Sequence, residues 1–446
     1  MKKFLLGFSC VMMGLISCTQ TLPEKLDQYL AAAEKAGIFN GTVLITKGNG
    51  FLVNKGYGYK NVDTKTLNDA NTIFQIGSVT KQFTAAVILK LVEQRKLSLS
   101  DKLSKYFPGF PHANSITIEN LLSHTSGLYN YTNDGNFMQN EVEKTLSREQ
   151  FIQMIKDKPL DFTPGSKYNY SNSGYMFLGY IIEDITKKKY EQVVREQIFN
   201  PLGMSHSGFD FRNLRSVDRA VGYNAIVEGV GSKAQVVDST VSFAAGAIYT
   251  TTGNLYKWNQ SVLTERILKK SSLENAFTPR LSGYGLGWVV TNIDDKKAIM
   301  HDGGIHGFTS SNIIIPSDSI TVTIITNSGS SKMGQVGKEL LAILFNKPYT
   351  IPEKKKEVKL DAMALAQFVG EYELAPTFKI TITIKNDALV AQATGQPPFD
   401  LFAKSENVFF VKVVDAEVEF VKNDKGEVVS LILHQGGQNI PGKKIK

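Results

Sequence analysis

A chain of 446 residues, 42% hydrophobic and 21% charged, has room for two globular domains and is too ordinary in composition to be fibrous or disordered. Its formal charge of +8 owes much to Lys354, Lys355, Lys356, Lys443, Lys444 and Lys446. No run interleaving basic and aromatic residues accompanies them, which argues for a solvated surface and against nucleic acid as a partner.

The N-terminus reads as a leader. Met1-Lys2-Lys3 supplies positive charge, and residues 4–16 form a short apolar run. Leu15-Ile16-Ser17-Cys18 then resembles the lipobox of bacterial lipoproteins, where cleavage precedes a cysteine that becomes acylated. The expectation is a signal peptide over 1–17, a lipid on Cys18, and attachment to a membrane of the bacterial cell envelope, with the periplasmic side favoured. No later stretch is long and apolar enough to span a bilayer. The two cysteines are Cys10 and Cys18. Cleavage removes one and lipid consumes the other, so no disulfide, cysteine nucleophile or cysteine metal site is expected.

A helix is expected around 26–36. Alternating runs at 41–45 and 51–57 flank Lys47-Gly48-Asn49-Gly50, a hairpin signal. Apolar residues then recur at helical spacing over 79–95, 117–124, 147–157, 173–187 and 190–198. Strand signals return at 285–291, 297–301, 310–315 and 321–326, and a helix closes the region at 337–345. Strands at both ends with helices between predict an α+β fold: one sheet of distant segments with a helical insertion beside it. Residues 348–359 are rich in Pro and Lys and read as a linker. Beyond it, strands are expected at 368–374, 378–385, 388–393, 407–414, 417–422 and 428–434, a small antiparallel barrel or meander. The domains predicted are thus 18–350 and 360–446.

Three short motifs carry chemistry. Ser78-Val79-Thr80-Lys81 opens a predicted helix, where residues i and i+3 share a face. The Lys81 amine then reaches the Ser78 hydroxyl, which needs a base to become a nucleophile. Tyr170-Ser171-Asn172 lies on a loop before a helix expected near Gly174. Its phenol acts as a base if a cation such as Lys81 lowers its pKa. His301-Asp302-Gly303-Gly304 ends a strand, and its glycines let a substrate backbone approach. Each motif also has a plain structural reading: a helix cap, a buried tyrosine, a tight turn. A Ser-His-Asp triad lacks its G-x-S-x-G elbow, and no histidine pair has zinc-ligand spacing, so no metal or cofactor is expected. His124, within Leu121–Leu128, reads as a helix cap and turn.

The order S-x-x-K, Y-x-N, H-x-G resembles the serine β-lactamase-like and penicillin-binding family, which includes class C β-lactamases, D,D-carboxypeptidases, D-aminopeptidases and esterases. Leu121–Leu128, Pro164-Gly165, Ala244-Ala245-Gly246 with Tyr249, and Tyr284–Trp288 look like the same family. The likeness covers roughly 25–345. It implies a helical domain beside an antiparallel sheet. It implies Ser78 as the acylated nucleophile, with Lys81 and Tyr170 sharing the base role and Asn172 positioning substrate. The N–H groups of Ser78 and Gly304 would form an oxyanion hole, with Gly303 and Gly304 beside the substrate. His301 would line the cleft where class C enzymes carry a lysine. The C-terminal region resembles the lipocalin-like β-domains appended to some members.

One departure bears on substrate. A neutral His301 and an acidic Asp302 stand where the family's Lys-Thr-Gly supplies a fixed cation and a hydroxyl. That should weaken carboxylate anchoring and efficient β-lactam turnover. The expectation is a serine hydrolase acting on a small-molecule or peptide substrate: D-amino-acid peptides, amides or esters. The alternatives are a β-lactamase or D,D-carboxypeptidase, and a non-catalytic binding lipoprotein. Retention of Ser78, Lys81 and Tyr170 together favours catalysis, because binding alone needs none of them.

Overall fold

In the computed structural model, residues 20–329, 331–354, 356–412, 416–435 and 438–446 are described; the expected leader and Cys18 lie outside them. Helix α1 (Leu22–Lys35) leads into a hairpin of β1 (Gly41–Lys47) and β2 (Gly50–Tyr57). Helices α2 (Thr80–Glu93), α3 (Asn172–Thr186) and α4 (Thr252–Leu263) follow. Strands β3 (Val289–Ile293), β4 (Lys296–Ile305), β5 (Phe308–Ile315) and β6 (Ile320–Thr326) then precede α5 (Met333–Leu344). The six strands form one antiparallel sheet in the order β2-β1-β6-β5-β4-β3. β1 joins the two ends of this chain segment: Gly41 pairs with Tyr57 on one side and Thr326 on the other.

The central strands β1, β5 and β6 are buried on both faces, and period-two alternation sorts their residues. Ile313 and Ile324 pack with Leu26, Leu30, Val336 and Leu340 of α1 and α5. Their neighbours Ile314 and Ile325 enter a second core with Leu255 and Trp258 of α4 and the helical lobe. Each such side chain contributes about 1.5–3 kcal/mol by leaving water. Helix α2 crosses the middle of that second core. The sequence shows it one apolar stripe, yet every residue from Thr80 to Leu89 is buried. Its polar residues are therefore bonded inside: Gln82 Oε1 accepts from Trp258 Nε1 at 3.1 Å and from Asn312 Nδ2 at 3.3 Å.

Two departures from the sequence reading have local causes. The strand expected at 285–291 begins only at Val289. Before it, Gly287 has φ +92° and lies against Ala85 and the Lys81 carbonyl, so the chain here is a loop clasping α2. The three longer helices between 203 and 285 carry no sequence signal: Ser239–Gly246, α4 and Lys270–Ala276. Helix α4 holds Asn254 and Asn259, poor helix formers, and Asn259 turns inward to bond Asn312 at 2.8 Å.

The C-terminal part is a closed antiparallel barrel of eight strands, paired in sequence order. Helix Ala362–Ala366 precedes it and sends Leu365 into the core, where Phe368, Tyr372, Phe409 and Phe420 also pack. Six of the strands match the expected runs in position; Phe399–Ala403 and Gln438–Lys444 were not foreseen. The first follows Pro397-Pro398 and the second contains Pro441 and Gly442, residues that disguise a strand. Asn386 and Asp387 both take positive φ in the hairpin their sequence announces. Lys412 links the barrel to the rest of the chain, 3.0 Å from Glu228 and 3.3 Å from Glu357. A cavity of about 1160 Å³ lies beside this contact and is lined by none of the three motifs.

Candidate active site

Ser78 sits in a 3-10 turn, Gly77–Val79, that runs directly into α2. It is partly exposed while residues on either side are buried. Two glycines let this turn press against β4. A Cβ on Gly77, whose φ is +50°, would collide with the Gly304 backbone. A Cβ on Gly303 would collide with the Ile76 carbonyl and Ser310 Oγ. Larger residues at either position would push the serine away from the strand.

Lys81, one helical turn on, is 0% exposed and central to the cluster. Its Nζ lies 3.0 Å from Ser78 Oγ, 2.8 Å from Asn172 Oδ1 and 2.8 Å from the Ala245 carbonyl. The last two partners are acceptors only, so each takes an N–H from the amine. Burial drives the Lys81 pKa well below its ordinary value. A neutral amine has two N–H groups and one lone pair. With the N–H groups engaged by Asn172 and Ala245, the lone pair is left facing the Ser78 hydroxyl.

The Tyr170 ring lies 4.9 Å from Lys81 Nζ. Its hydroxyl is buried next to Ser78 without a well-formed hydrogen bond. Burial raises its pKa, so the phenol keeps its proton, and the condition for a phenolate base, a pKa lowered by Lys81, is not met. Asn172 is the first residue of α3, two residues before the expected helix start. Its Nδ2 donates to Thr132 Oγ1 at 3.1 Å and its backbone N–H to Asn130 Oδ1 at 3.0 Å. Those two supports were not singled out in the sequence, nor was the Ala245 carbonyl as a lysine partner.

His124 stacks against Tyr170, ring centroids 4.1 Å apart. It accepts the Ser171 N–H through Nδ1 at 3.2 Å, and burial holds it neutral. The turn that looked merely structural therefore fixes the backbone and ring of the second motif.

His301 is 3% exposed. Its Nδ1 lies 2.6 Å from the Asp302 carbonyl, an acceptor, so Nδ1 carries the proton. Nε2 then accepts from the Tyr284 hydroxyl at 2.8 Å. Burial and Lys81 lower its pKa to about 3. The ring is neutral, both nitrogens are engaged, and neither is free for a ligand. What β4 presents outward is instead its edge. The pairing with β3 stops at Val289, opposite Met300, so 301–305 has a strand partner on the β5 side only, among the described residues.

The model of the β-lactamase family matches residues 24–346. The chain belongs to that family of serine hydrolases. A domain of unknown function, DUF3471, matches 354–444, the barrel. Among relatives, penicillin-binding protein 4* of Bacillus subtilis is 31% identical over 428 residues, covering 90% of this chain and 93% of that protein. The putative penicillin-binding protein PbpX of the same organism is 32% identical over 324 residues, 72% of this chain and 78% of its own. Among solved structures, an octameric penicillin-binding protein homologue from Pyrococcus abyssi superposes with TM-score 0.64 and 25% identity, covering 94% of this chain and 99% of that one. A D-amino acid amidase from Ochrobactrum anthropi SV3 superposes with TM-score 0.66, covering 73% and 99%; at 21% identity it shows the shared fold alone. In this β-lactamase-family fold the three motifs converge on one point, the Ser78 hydroxyl beside the open edge of β4.

Proposed function

We infer that the chain is an acyl-enzyme hydrolase of D-amino-acid amides, esters or short peptides, with Ser78 as nucleophile. One observation carries this: a buried, pKa-depressed Lys81 whose two other partners accept its N–H groups and leave its lone pair for Ser78 Oγ. Lys81 takes the Ser78 proton as Oγ attacks the carbonyl carbon. The N–H groups of Ser78 and Gly304 stabilise the oxyanion. Tyr170, protonated at rest, gives its proton to the leaving group and is reprotonated by the Lys81 ammonium. Water then releases the acyl group by the same steps in reverse. Asn172 holds Lys81 and faces substrate, Gly303 and Gly304 admit the substrate backbone along β4, and His301 fixes this stretch from behind.

The D-amino-acid reading is taken from the resemblance of the S-x-x-K, Y-x-N and H-x-G motifs to a family that includes D-aminopeptidases. The neutral His301 and acidic Asp302 favour it over carboxylate-anchored β-lactams. Its test is stereoselectivity. The p-nitroanilides of D- and L-alanine are expected to differ by at least about tenfold in kcat/KM, with D preferred. Equal rates for the two would overturn the substrate assignment.

The lipobox supports attachment of the chain to a membrane of the cell envelope through Cys18. Among the described residues no helix is long and apolar enough to cross a bilayer. Cys18→Ala is expected to move the protein from the washed membrane fraction to the soluble fraction. Retention on the membrane would contradict the lipid anchor.

A further inference from the structure

We propose that Asp302 is a specificity-determining residue that selects substrates carrying an ammonium group near the scissile carbonyl and rejects those carrying a carboxylate there. The proposal rests on the hydrolase reading above and names the charge its substrate bears.

Asp302 lies in the stretch of β4 whose outer edge has no strand partner. It is exposed, although both its neighbours, His301 and Gly303, are buried. Alternation puts Asp302 on the same strand face as Gly304, the residue that borders Ser78's turn. At Gly304 a Cβ would meet nothing within 4 Å, so this face of the edge is open. Residues two apart on a strand are separated by about 6–7 Å. A carboxylate at 302 therefore reaches a group one or two bonds beyond a carbonyl seated near Gly304.

The surroundings supply no countercharge. Asp302 pairs in register with Ser311, whose hydroxyl favours the ionised carboxylate. No lysine or arginine forms an ion pair with it among the described residues. The amine of the site, Lys81, is buried and fully engaged by Ser78, Asn172 and Ala245. Partial desolvation raises the Asp302 pKa, a cost that a bound cation would relieve. An acid at an open edge, with a hydroxyl behind it and no partner in front, matches an ammonium and repels a carboxylate.

The test compares three p-nitroanilides of one acyl core: D-alanine, with a free ammonium; N-acetyl-D-alanine, neutral; and N-succinyl-D-alanine, anionic. For the native chain kcat/KM is expected to fall in that order, by about tenfold between the first two. In Asp302→Asn the ratio of the first two should fall to within about twofold of one, and in Asp302→Lys the anionic substrate should lead. Saturation-transfer NMR of the Ser78→Ala variant with D-alaninamide and N-acetyl-D-alaninamide reads the same preference without turnover. It separates the two readings: absent hydrolysis with a preserved ammonium preference defeats the hydrolase assignment alone. An ammonium preference that is missing in the native chain, or unchanged in Asp302→Asn, overturns the role of Asp302.

Discussion

Ser78→Ala is expected to lower hydrolysis of a p-nitrophenyl ester by at least about 10³-fold while leaving the melting temperature nearly unchanged. Loss of the nucleophile ends covalent turnover, whereas folding loses only one hydroxyl. That hydroxyl is partly exposed and bonded to Lys81 at 3.0 Å, so its removal leaves the amine with Asn172 and Ala245. Steady-state kinetics and a thermal melt on one preparation check both halves. Retained turnover would mean that another group attacks the substrate.

Lys81→Met carries the second large effect, a loss of about 10²- to 10⁴-fold, the range for removal of a general base. Methionine has similar length and no basic nitrogen. Asn172 Oδ1 and the Ala245 carbonyl would lose a donor, while the desolvation of a buried amine disappears; these oppose each other in stability. The pH profile is the sharper readout. A base with a depressed pKa is active above that pKa and is lost as pH falls through it. The native chain should therefore show an acidic limb in kcat/KM at a pH well below the ordinary lysine value of about 10.4. Any activity left in Lys81→Met should lack that limb. His301, with its pKa lowered to about 3, adds none between pH 5 and 8. Tyr170, raised by burial, adds no loss on the alkaline side of neutrality.

What could be read in the sequence depended on which atoms carried the signal. Ser78, Lys81 and Asn172 announce themselves by side-chain type and spacing, and one turn of α2 brings the first two together. The sheet was legible because its strands alternate β-branched residues between turns, and the barrel because the Asn386-Asp387 hairpin is written in residues that accept positive φ. The Ala245 carbonyl was not legible, since a backbone oxygen leaves no trace in residue type. Its position is set by a helix with a break at Phe243, φ 32° and ψ −128°. The inward turn of His301 depends on Tyr284, seventeen residues away, and only the fold brings that hydroxyl to Nε2. The protonation of Tyr170 is left open by the sequence for a related reason. Motif spacing shows a nearby cation but not burial, and burial dominates here.

The assignment of Ser78 as an acylated nucleophile is tested most directly by intact mass spectrometry after treatment with a fluorophosphonate, followed by peptide mapping. One adduct per chain is expected, located on Ser78 and absent from Ser78→Ala. An unmodified native chain, or an adduct that persists in Ser78→Ala, would contradict it.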